Sequence, residues 1–152
     1  MRSTFFGNKF TNETLRGKPM VWNYAENKYG IKISDALKIL CEPLVEKLIP
    51  AHLPEDVELS LRQTIYTLGM TVWNCCVATG NMELALAMVN GFAIAAVENG
   101  NSTMSDQEMQ ERFFPDLIER KFKLYPHIDA IILSFELSYC ENNWNLRVHS
   151  QF

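Results

Sequence analysis

Phe135-Glu136-Leu137-Ser138-Tyr139-Cys140 and Trp144-Asn145-Leu146-Arg147-Val148-His149 each alternate a large apolar residue with a small or polar one. A period of two puts successive side chains on opposite faces of a strand. Asn142-Asn143 lies between the two runs, and asparagine tolerates the positive φ of a tight hairpin turn. A two-residue turn there pairs Tyr139 with Leu146 and Leu137 with Val148, with all the large apolar side chains on one face. A three-residue turn would bring Asn145, Arg147 and His149 to that face instead, so the even turn is expected. The outer face then carries Glu136 opposite His149 and Ser138 opposite Arg147.

A two-stranded hairpin is marginal in water, so this one must lie on other elements, and an edge stays open unless something covers it. Met20, Trp22 and Tyr24 alternate after Pro19 and could form a third strand or a loop pinned by its aromatics. A second copy of the chain, or a partner's strand, could equally cover the edge. Glu136, Ser138, Arg147 and His149 are therefore candidate interaction residues.

The chain before the hairpin reads as helix. Ser34 is expected to cap a helix with Asp35 in its first turn. Leu37, Leu40, Leu44 and Leu48 then recur at helical spacing, and Pro43 is expected to kink or restart the helix. Pro50 and Pro54 bracket a turn at His52. Pro54 opens the next helix, with Glu55, Asp56 and Glu58 at its positive end. Leu61, Ile65, Leu68, Val72 and Cys76 form one apolar stripe, and Tyr66, Met70, Trp73 and Val77 a second, so this helix is covered on most sides. Gly80 ends it. Asn81 caps the helix from Met82 to about Val97, where Ala87, Gly91 and Ala95 lie four apart and allow close helix approach. The short connection implies a central αα-hairpin. Ser105 and Glu108 form a capping box for a further helix. Pro115 kinks that helix or begins a new one, on which Phe114, Ile118, Phe122 and Tyr125 share a face. The fold expected is α+β and predominantly helical: four to five helices around a central αα-hairpin, then a C-terminal antiparallel β-hairpin. The expected organisation is one globular domain over 1–152, with a loop-rich segment at 1–30, a helical core at 31–125 and the hairpin at 129–150.

Composition narrows function. The chain has 152 residues and a net charge of −4, with 18 acidic residues against 14 basic and no run of Lys or Arg. Nucleic-acid binding, which draws on a basic surplus, is not expected. No formal charge occurs from Gln63 to Met82, nor between Glu83 and Glu98. The first run holds too many polar residues to span a membrane and the second is too short, so both are expected to be buried helices. No signal-like apolar region follows Met1, so a reducing cytosol is expected, where free thiols are the default, and Cys41, Cys75 and Cys76 sit in apolar helical contexts. Adjacent Cys75 and Cys76 have the wrong spacing for a Cys-x-x-Cys site.

The signatures of chemistry are missing. His52, His127 and His149 lie on separate elements, so neither a metal nor any other cofactor is expected. There is no Gly-x-Ser-x-Gly elbow and no phosphate-binding glycine loop. Paired acids such as Glu108 and Glu111, or Asp116 and Glu119, already have helix-surface roles. One feature departs from this pattern. Gln63, Thr67, Thr71 and Asn74 form a polar, uncharged side of the second helix, which could line a small-molecule site. Their hydroxyls could also bond back to the helix. The leading expectation is a non-enzymatic cytosolic interaction module that self-associates or binds a protein partner. The alternative is a ligand-binding domain or enzyme using the polar side of the helix at 55–79.

Overall fold

The structure, a computed structural model, describes residues 2–5, 31–98 and 112–151. In chain order the elements are β1 (Arg2–Phe5), α1 (Ile33–Leu48), α2 (Glu55–Thr79), α3 (Met82–Glu98), α4 (Phe114–Leu124), β2 (Ile131–Cys140) and β3 (Asn143–Gln151). The fold is α+β and predominantly helical, as the patterning implies. The residues gather into two compact units, Met1–Met70 with Ala130–Phe152, and Thr71–Asp129.

In the first unit α1 begins two residues earlier than a Ser34 cap would allow. Its cap is Lys32 in extended backbone, with no side-chain cap bond. Burial explains the shift: Ile33 is the first member of the buried set Ile33, Ala36, Leu37, Leu40, Cys41 and Leu44, and the helix extends to include it. Pro43 does not restart the helix. It stands on the exposed side of an unbroken α1.

The sheet has strand order β1-β2-β3, all antiparallel. Within the segment 1–30, expected to be loop-rich, Arg2–Phe5 pairs with β2, setting Thr4 across from Glu136 and Phe5 across from Phe135. The alternation at Met20–Tyr24 lies outside the described residues, as does the capping box at Ser105. A β-bulge between Ile132 and Ser134 keeps four consecutive residues, Ile132 to Phe135, buried. Bulges re-aim side chains in this way.

The hairpin keeps the expected faces but not the expected pairing. Its turn is Glu141-Asn142, with φ 52° and 64°, rather than Asn142-Asn143. Leu137 therefore faces Leu146, Phe135 faces Val148, and Glu136 faces Arg147. Both turns have two residues, so the apolar side chains share a face in either case. The observed register seats Tyr139 beside Trp144 with ring centroids 4.9 Å apart. It also sets Glu136 against Arg147 at 3.9 Å. Cross-strand aromatic and opposite-charge pairs each contribute roughly 0.2–1 kcal/mol, which offsets placing a glutamate at positive φ. The apolar face packs on α2 through Tyr66, whose ring meets Phe135 edge-on at 6.0 Å.

In the second unit, Gly80 ends α2 with φ 61°. Asn81 caps α3 by accepting the Leu84 amide at 3.0 Å. Pro115 sits in the first turn of α4, two residues after Phe113, whose backbone is already helical (φ −83°, ψ −43°). α3 packs against α4.

The turn assignment is testable. A left-handed non-glycine residue costs about 1–2 kcal/mol. Glu141→Gly should raise the urea midpoint, by up to about 1 kcal/mol of stability once the glycine's greater unfolded freedom is subtracted. Asn143→Gly should give no gain. The reverse ranking would restore the Asn142-Asn143 turn.

Candidate interaction surface

Gln63, Thr67, Thr71 and Asn74 are all half-buried along α2. The Thr67 hydroxyl donates to the Gln63 carbonyl at 2.6 Å, and the Thr64 and Thr79 hydroxyls bond the carbonyls four residues back in the same way. Such back-bonding spends a hydroxyl within its own helix. In the first unit a cleft of about 520 Å³ lies elsewhere, between Asp35, Lys38 and Glu42 of α1 and Arg62 and Tyr66 of α2. Arg62 is already committed there. Its Nε donates to Glu58 at 2.8 Å, and its guanidinium lies 5.1 Å from the Trp144 ring centre. Burial holds the Tyr66 hydroxyl above its ordinary pKa, against the pull of Arg62.

On the outer face of the sheet the structure brings Glu136 to Arg147, not to His149. Ser138 faces Asn145, and His149 faces the buried Ser134. Burial lowers the His149 pKa, with Glu136 opposing the shift. Three of the four candidates are half-buried and Arg147 is exposed. The Glu136–Arg147 pair is long at 3.9 Å, with Arg147 mostly exposed and Glu136 half-buried, so its contribution stays within the modest range of a cross-strand pair.

Lys121, which periodicity does not single out, is 2% exposed. Its Nζ donates to the carbonyls of Tyr125 at 2.8 Å and Ile128 at 3.0 Å, and lies 5.1 Å from the Trp73 ring centre. The ammonium thus ties α4 to the turn that follows it, and a cation there also complements the negative end of the helix dipole. Burial lowers its pKa, opposed by Cys76 and Asp129. Burial also raises the thiol pKa of Cys75 to about 11 and of Cys76 to about 12, with Lys121 opposing at Cys76. Thiols so shifted are poor nucleophiles. Among the described residues no group of His, Cys, Asp and Glu is placed to hold a metal ion.

The feature that sequence reasoning missed is on α3. Its uncharged run was expected to be buried. Ala85 and Val89 are buried, but Leu84 is 59% exposed, Met88 40% and Phe92 57%. Ala87 and Gly91 are exposed on the same side. Positions 84, 88, 91 and 92 form one helical stripe. Among the described residues, only the Ala85–Val89 side of the helix is buried. Gly91 stands out within the exposed stripe. A Cβ there would meet nothing within 4 Å, whereas one at Gly69 would collide with Cys41 Sγ. Glycine inside a helix costs about 1 kcal/mol relative to alanine. The packing of Cys41 explains Gly69, but among the described residues nothing packs against Gly91.

No family model, curated protein or solved structure matches this chain.

The buried thiols make stability depend on pH. In the unfolded chain they ionise near 9, but in the folded chain they keep their protons to about 11 and about 12. Above pH 9 the unfolded state binds fewer protons, so the stability they contribute is complete below 9 and is lost as pH rises toward 12. Lys121, with a lowered pKa, acts in the opposite sense. In reducing buffer, Cys75→Ala/Cys76→Ala should flatten the alkaline fall in the urea midpoint relative to the parent chain. An unchanged slope would mean that the thiols titrate normally in the fold.

Proposed function

We propose that the chain is a non-enzymatic interaction module, working in the cytosol through self-association or a protein partner. The observation that carries this reading is the solvent-facing apolar stripe Leu84, Met88 and Phe92 on α3. Contiguous exposed apolar surface has a cost in water and marks a contact surface more often than a lone exposed leucine does. The absence of charge along the stripe strengthens the point, because solvated helix faces normally carry Lys and Glu. No helix among the described residues is long and apolar enough to cross a membrane. The small-molecule reading of Gln63, Thr67, Thr71 and Asn74 has weaker support, since Thr67 bonds within its own helix.

The sheet offers a second, lesser surface. Among the described residues no strand pairs with the outer edge of β3. Glu136, Ser138, Arg147 and His149 lie on the outward face of β2 and β3, and their role in a contact is part of the proposal. The α3 stripe is preferred because its exposed side chains are large and apolar.

The test uses a dye that fluoresces on apolar surface. The folded chain should bind it, and Leu84→Lys/Phe92→Lys should bind much less. Exposed substitutions of this kind change stability by no more than about 0.5 kcal/mol each, so the melting temperature should hold within a few degrees. If the chain binds no dye, or the variant binds as much as the parent chain, the stripe is not the open surface this reading needs.

A further inference from the structure

We draw no further inference here: the strongest candidate, the exposed apolar stripe of Leu84, Met88 and Phe92 on α3, belongs to the surface already described, and nothing in the structure shows what covers it.

Discussion

One helix supplies the core of both units, and the rest of the structure depends on that constraint. α2 gives Ile65, Tyr66 and Met70 to the first unit and Val72, Trp73, Cys75 and Cys76 to the second, each 3% exposed or less. Burying a large apolar side chain contributes about 1.5–3 kcal/mol, so α2 cannot carry charge along this stretch. In the first unit Tyr66 receives Phe135 of the sheet, and Gly69 leaves room for Cys41 of α1. In the second, Trp73 lies 5.9 Å from the Tyr125 ring and beneath the Lys121 ammonium. The Lys121 arrangement is sound because the charge keeps two carbonyl partners after losing water. A buried charge without partners would cost several kcal/mol.

The sequence was most legible where periodicity had no rival. The double stripe of α2, the Gly80 stop, the Asn81 cap and the shared apolar face of the hairpin follow from helix and strand geometry. It was less legible where two local rules competed. Asn142-Asn143 has the better turn chemistry, yet the Tyr139–Trp144 and Glu136–Arg147 pairs favour the turn one residue earlier. Ser34 is the better cap residue, yet the burial of Ile33 fixes the start of α1. Arg2–Phe5 is too short to announce a strand, and its pairing with β2 is a long-range fact that no local pattern carries.

Candidate sites were harder still to read. Lys121 falls among the charged residues of α4, and only tertiary packing distinguishes it from Arg120 and Lys123 beside it. Hydropathy alone likewise cannot separate a buried α3 from one with an apolar side in solvent. Both look uncharged from Leu84 to Val97. The signal that was present is Gly91, a weak helix former in the middle of a helix. Among the described residues nothing lies within 4 Å of where a side chain would stand, which no hydropathy pattern conveys. Gly69, equally central in its helix, has the opposite explanation, since Cys41 leaves it no room.

The central claim is that the Met88 side of α3 is an open apolar surface. Methionine methyl resonances, read with a soluble paramagnetic agent in dilute solution, test it most directly. The account predicts that the Met88 methyl is strongly relaxed, while Met70, 2% exposed, stays protected. A Met88 methyl as protected as that of Met70 would mean that the chain covers this face itself and would contradict the account.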